Sequence, residues 1–515
     1  MPSEDRSLTP YYGFTHPAAP GPQLRQASHP TLPSSQQLGR PLLSHLWNPF
    51  LPYLHHQSPT LTVLDHEAYL FADCLHYYNE IMRPLLVGCL IPNQPREFRT
   101  EEWINTPPLM KHATVYALST HRMARGEDFP ELKTQRLVHR GKTVVLLRQA
   151  LEMLQGSQWA AFVMIVQFLG GEIATSSVSG WQTHFEAAWR MLESIGGGTG
   201  RVGDGVEYCW NLCEEPQLAC VYLVQVEVFS ATTAPVWVMG RGREREVVRV
   251  LGRKDLGDME DRFVASMCAC PLEIVRTLAE INGLRAELYA LQRTPDRGEG
   301  FAVDGESEVS TRLWNILTRL LSFKATNWVE RTLMRHDAQV VHAETAGGFD
   351  RQAMTESWTR LADCYRSATV IYLLRACASS HLSTALPEGC RAFMEDSEEV
   401  LNEHQHILSM SLAYLLRGLG FRQTDIRGPI LWRFIYWPVF IEAYEFTGWS
   451  PKAADSCATA EVDGRLDRMR LLGRQTGAMC MSDAAELLKK VARERKGKQA
   501  WHWDDAFPQR VLLSV

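Results

Sequence analysis

Residues Cys220–Ser230, CVYLVQVEVFS, decide the fold class. Their valines and aromatics suit a strand, and the apolar run suits a buried helix equally well, so periodicity alone does not separate the two. The neighbours settle the reading. Upstream, Trp181–Ile195 repeats its apolar residues on a 3.6-residue period, and downstream Pro271–Leu291 does the same. Cys220–Ser230 is therefore read as a helix, and the chain as all-α.

Working outward, the same period places helices over Leu64–Met82, Pro108–Met123, Gln135–Leu154 and Trp159–Leu169. Pro84 is expected to end or kink the first of these. Ile91–Thr100 reads as a loop, Gly156 and Ser157 as a turn, and Gly170 with Gly171 as a helix stop. Gly196–Gly200, GGGTG, is read as the stop after Trp181–Ile195 rather than as a phosphate cradle, because it follows a helix instead of opening one. Arg241–Lys254 alternates charge and reads as a solvated loop, and Pro295–Ser307 as a flexible break. Helices resume over Arg312–Phe323, Arg351–Cys377, Glu399–Gly418, Gly428–Thr447, Asp455–Leu472 and Asp483–Glu494. No internal repeat of fixed period is present, which argues against a solenoid. Residues 1–60 are rich in Pro, Ser and His and are expected to be a disordered leader. Residues 61–495 form the all-α body, a large multi-helix regulatory domain, and 496–515 a C-terminal tail.

The 515 residues, 45% apolar and 22% charged with a net charge of −6, describe an ordinary globular chain without a broadly basic surface. The 12 cysteines are scattered and suggest free thiols in a reducing compartment. The longest apolar run, Trp159–Leu169, is too short to span a membrane, which takes roughly 20 residues.

Catalytic patterns are missing from the sequence. It has no G-x-x-x-x-G-K-[ST] phosphate loop, no strand-linked G-x-G-x-x-G and no G-x-S-x-G elbow. Cys209, Cys213 and Cys220 lack the paired spacing of structural zinc, as do Cys268 and Cys270, and all read as packed thiols. His404 and His406 are two apart and so point to different helix faces, which rules out an H-E-x-x-H arrangement. Asp258-Met259-Glu260-Asp261 is the one acidic cluster an Mg²⁺-dependent enzyme could use, and it reads as a solvated turn. The basic residues Arg241, Arg243, Arg245, Arg249, Arg253 and Lys254 are balanced by Glu244, Glu246 and Asp255. Trp432, Trp437, Trp449, Trp501 and Trp503 are read as core. Lys489, Lys490, Arg493, Arg495, Lys496 and Lys498 form a cluster that fits a nuclear import signal or an exposed helix end.

Seven blocks, in order, resemble the fungal-specific transcription factor domain, the regulatory domain that follows zinc clusters. They are Leu75–Tyr78 with Asn93–Arg96; Lys111–Met123 (KHATVYALSTHRM); Gly180–His184 with Ala187–Leu192; Val226–Thr233 (VEVFSATT); Met267–Leu284 (MCACPLEIVRTLAEINGL); Tyr365–Leu374 (YRSATVIYLL); and Leu431–Phe446 (LWRFIYWPVFIEAYEF). The resemblance also favours the helical reading of Cys220–Ser230. It implies an all-α nuclear regulator with no catalytic residues, cofactor or metal in this domain. Its partner would be a DNA-binding or coregulator protein, with homo- or heterodimers expected and no membrane association. Such proteins often control metabolic or secondary-metabolite gene clusters.

In the family a C-x2-C-x6-C zinc motif with a basic run precedes this domain. Residues 1–60 contain no cysteine. Two readings follow: a regulator that reaches DNA through a partner, or a sequence that begins downstream of the zinc-cluster exon. The alternative of another class is an all-α scaffold or adaptor without a transcriptional role.

Overall fold

In the computed structural model the described residues are 65–86, 97, 99–104, 106–127, 129–153, 158–175, 180–195, 201–237, 239, 243–253, 259–265, 269–292, 302–341, 350–377, 397–417, 419, 431–448, 456–495, 503–507 and 510–511. The leader 1–60 lies outside them. Among the described residues every regular element is a helix.

The described residues open with α1 (Asp65–Tyr77), a π turn (Tyr78–Met82) and α2 (Arg83–Leu86). Pro84 does not end the helix here. The Arg83 N–H reaches back to Tyr78 O, so the backbone is widened just where proline has no N–H to give. Next come α3 (Thr100–Ile104), α4 (Pro108–Ala124), α5 (Pro130–Met153), α6 (Gln158–Thr175), α7 (Trp181–Ile195) and α8 (Val202–Trp210). α6 runs past Gly170 and Gly171, which sequence alone marks as its stop. Both are packing positions: a Cβ at Gly170 would lie 3.4 Å from the Tyr222 hydroxyl, and one at Gly171 3.7 Å from Tyr116 Cε1.

The ambiguous segment lies in α9 (Glu214–Thr233). Its limits are chemical. Glu214, Glu215 and Pro216 occupy its first turn, where acidic charge suits the helix dipole and proline costs no hydrogen bond. Pro235 ends it by holding Ala234 in extended geometry, φ −70° and ψ 135°. From Ala219 to Thr233 all residues but Tyr222 are buried. A helix enclosed on every side shows no amphipathic period, which is why the sequence pattern was mute.

Arg243–Leu251 is a helix, α10, not a loop. Its charges mask an apolar stripe of Val247, Val250 and Leu251, all buried. α11 (Met259–Ala265), α12 (Leu272–Gln292), α13 (Ala302–Ser322) and α14 (Ala325–Arg335) follow. α13 begins within the expected Pro295–Ser307 break, whose residues 295–301 lie outside the described set. α15 (Arg351–Cys377), α16 (Glu398–Leu415), a 3₁₀ turn (Trp432–Phe434), α17 (Tyr436–Gly448), α18 (Ser456–Thr476), α19 (Met479–Arg495) and α20 (Trp503–Ala506) complete the order. α9 packs on α12, α12 on α15 and α15 on α17, and this central set carries the main core. A smaller cluster joins α1 to α4 through Tyr77, Tyr78, Trp103, Val115 and Leu118. No described helix is long and apolar enough to cross a membrane.

Candidate regulatory core

The residues of most chemical interest meet where α9 ends. Asn282 and Arg285 stand one turn apart on α12, so both face the same neighbours. Arg285 is fully buried and bonds through Nη2 to Asp504 Oδ1 of α20 at 2.5 Å. Its Nη1 donates to the Tyr372 hydroxyl of α15 at 2.6 Å, and Tyr372 donates on to Asn282 Oδ1 at 2.7 Å. Asn282 Nδ2 in turn donates to Val228 O at 2.9 Å. The guanidinium also reaches the carbonyls of Ala231, Thr232 and Ala234 at the C-terminal end of α9, where the helical ladder runs out. Burial opposes the Arg285 charge, but Tyr372 and Asp504 outweigh it and hold it protonated. Burial raises the Tyr372 phenol above its usual range, so it remains a neutral donor.

Aromatic residues enclose this network. Trp503 Nε1 donates to Thr232 O at 2.6 Å, and Trp437 Nε1 to Thr232 Oγ1 at 3.0 Å. Trp437 stacks on Tyr365, and Tyr372 meets Trp503 edge-on. Val511 N–H donates to Thr233 Oγ1 at 3.2 Å. Residues beyond 495, set apart as a tail on the sequence, thus supply buried Trp503, Asp504, Phe507 and Val511 to the core. The paired charges and satisfied hydroxyls form a structural lock, with no nucleophile and base poised for chemistry.

A second junction lies beside it. Arg243 of α10 grips Glu186 of α7 with two bonds of 2.8 Å and lies over the rings of Phe185 and Trp189. Arg510 pairs with buried Glu227 of α9 at 2.6 Å. Glu244, buried on α10, has its carboxyl pushed up to about 7 by burial, with Glu227 adding and Arg510 and Arg243 opposing. Its folded value lies above the ordinary 4.5, so its stabilising share is complete below that value and lost as pH rises through about 7. Glu244→Gln is therefore expected to be near neutral at low pH and to stabilise above neutrality by up to about 3 kcal/mol. Urea unfolding at both ends of that range checks this; equal effects at both would contradict it.

The other sequence candidates separate cleanly. Cys209 and Cys220 are buried and Cys213 exposed. Burial, then the Cys209 thiol, raises Cys220 well above its ordinary value, and Cys213 is pushed up to about 12 by burial and Glu215. Neither is poised as a thiolate ligand. Cys270 is buried and Cys268 lies outside the described residues. Buried His404 bonds Ser367 at 3.0 Å, while His406 is exposed on another face. The acidic cluster is not a turn: Glu260 and Asp261 open α11, and Arg335 pairs with them at 3.1 and 3.2 Å. Asp258 lies outside the described residues. No three described His, Cys, Asp or Glu side chains gather to hold a metal. Trp432, Trp437 and Trp503 are fully buried, and Trp449 and Trp501 fall outside the described set. On α19, Lys489 is half-buried, Lys490 is exposed and 3.6 Å from Glu494, and Arg493 is exposed. Lys496, Lys498 and the Arg495 side chain lie outside the described residues.

The model of one protein family, the fungal specific transcription factor domain, matches residues 53–513. The chain belongs to the fungal-specific transcription factor domain family. No curated protein and no solved structure matches it. The family is one of transcription-factor domains rather than of enzymes, and membership gives the chain a role in transcription regulation. The fungal-specific domain extends past residue 495, in keeping with the burial of Trp503 and Val511. Four of its sequence blocks meet at one point: Thr232 and Thr233, Asn282, Tyr365 and Tyr372, and Trp437. Sequence reasoning missed Arg285, Asp504 and Arg510, and placed Arg243 in a solvated loop. For Arg285 there was a signal, a basic residue one turn beyond Asn282 on a helix otherwise apolar on that side.

Proposed function

We propose that this protein is a nuclear transcriptional regulator whose helical body binds a DNA-binding or coregulator protein, and that it controls a metabolic or secondary-metabolite gene cluster. The observation that carries the reading is the family match over residues 53–513. The convergence of its blocks on one buried centre supports a domain held as a rigid body for binding rather than for catalysis. Access to DNA is indirect in this reading, through the partner. Chromatin occupancy of the tagged protein in its native host tests it. Discrete promoter peaks that vanish when the DNA-binding partner is deleted are expected. A flat profile from a stable, expressed protein would sink it in favour of an adaptor role.

Import is assigned to the basic end of α19. Replacing Lys490, Arg493, Arg495, Lys496 and Lys498 with glutamine, and sparing half-buried Lys489, is expected to lower the nuclear-to-cytoplasmic ratio of a fluorescent fusion severalfold. An unchanged ratio would return the cluster to the role of an exposed helix end.

A further inference from the structure

Helix α5 carries apolar residues on two opposite faces. One face, with Leu132, Leu147 and Ala150, is buried, and α5 packs against α4. The other is exposed: Leu137 by 66%, Val138 by 46%, Val144 by 40% and Val145 by 56%. At the middle of that outer stripe stands Gly141, itself exposed, and a Cβ there would meet nothing within 4 Å. A glycine inside a helix is costly relative to alanine. No described residue approaches the space it leaves. Leu137, Gly141 and Val145 follow one another at single-turn spacing, so a second helix crossing at Gly141 could come close to the backbone with an apolar residue on either side.

We propose that this face of α5 docks against the same face of a second copy of the chain, with the two helices antiparallel and crossing at Gly141. The match of the helix to itself selects this occupant. A two-fold axis through Gly141 places Leu137 on Val145 of the second copy and Val138 on Val144, which fills the stripe from both sides. The same operation brings Glu131 within reach of Arg148 of the second copy, and Lys133 within reach of Glu152. Arg148 and Glu152 are 82% and 61% exposed and pair with each other at 3.1 Å within one chain. Arg140, which flanks the crossing opposite Lys142, already has its charge met by Glu172 at 2.8 Å. Such self-complementarity is what an isologous contact requires, and a partner of unrelated sequence would not call for it. One helix pair covers on the order of 1,000 Å², the low end of specific interfaces, so dissociation in the micromolar range is expected.

Sedimentation velocity of the full chain, from well below to well above micromolar concentration, tests the proposal. The mass is expected to rise from monomer to dimer across that range. Gly141→Met is expected to raise the thermal midpoint and to weaken self-association roughly tenfold or more. A glycine without a docking role would change stability alone. Arg148→Glu is expected to weaken the dimer, and E131R combined with R148E to restore it, because each chain then presents the swapped pair to the other. A monomer at every concentration overturns the proposal. So does a dimer indifferent to Gly141→Met, or one that the double charge swap does not rescue.

Discussion

Arg285→Ala is expected to destabilise the domain by about 3–5 kcal/mol, the cost of breaking a buried ion pair from one side. The guanidinium is fully buried and serves Asp504, Tyr372 and three carbonyls at the end of α9. Removing it leaves the Asp504 carboxylate buried without its counter-charge, with the Val236 N–H still donating to Oδ1, and takes one donor from each of the carbonyls. Asp504→Asn keeps the shape but strips the counter-charge, and should fall in the same range. The informative variant is the pair Arg285→Met with Asp504→Leu. Replacing both charges removes the orphan, so the double variant should be more stable than the sum of the single effects. Urea unfolding followed by circular dichroism measures all of these. Single variants within about 1 kcal/mol of the parent would mean that water or a shifted side chain fills the role. The lock also predicts that cutting the chain after Arg495 costs about as much as Arg285→Ala, because Asp504 and Trp503 leave together.

How far the sequence led can be judged residue by residue. Trp181–Ile195 and Arg351–Cys377 were readable to the residue, the first from its apolar period. α9 was readable only through its neighbours and the family resemblance, since a helix buried on every side has no polar face to reveal a period. α10 was hidden by its own salt bridges. Arg243 and Glu244 look like solvated loop residues until Glu186, Phe185 and Glu227 are brought beside them by folding. The Arg285–Asp504 pair joins positions 219 residues apart, and no local pattern encodes such a partner. Glycine misled for a related reason. Gly170 and Gly171 look like stops in the chain, yet in the fold they make room for Tyr222 and Tyr116.

One junction ties the two ends of the domain together, and it predicts the second large effect. Gly477, between α18 and α19, has φ +70°, a conformation that costs an ordinary residue about 1–2 kcal/mol. Space is tighter still: a Cβ there would fall 1.9 Å from His121 Cδ2 on α4. His121 cannot yield easily. Its Nδ1 is 2.8 Å from the Tyr77 hydroxyl of α1, and neighbouring Arg125 donates to Gln475 O at 3.0 Å. Overpacking of a fixed neighbour adds about 1–3 kcal/mol, so Gly477→Ala should cost about 2–5 kcal/mol in all. Combining it with His121→Ala removes the collision but not the backbone strain. Part of the loss should return, leaving about 1–2 kcal/mol that belongs to φ. The histidine adds a pH signature. Burial, with Arg125 and Arg433 nearby, lowers it to about 3, so it stays neutral in the fold. The unfolded chain takes up its proton below about 6.5, so stability falls as pH drops beneath that value, and His121→Ala should flatten that fall. Hydrogen exchange would place the damage. Because α1 and α4 share the smaller core cluster, Gly477→Ala should loosen Tyr77, Tyr78 and Val115 before the central helices α9 and α15. Uniform loss of protection across both would show that the junction is one cooperative unit with the main core.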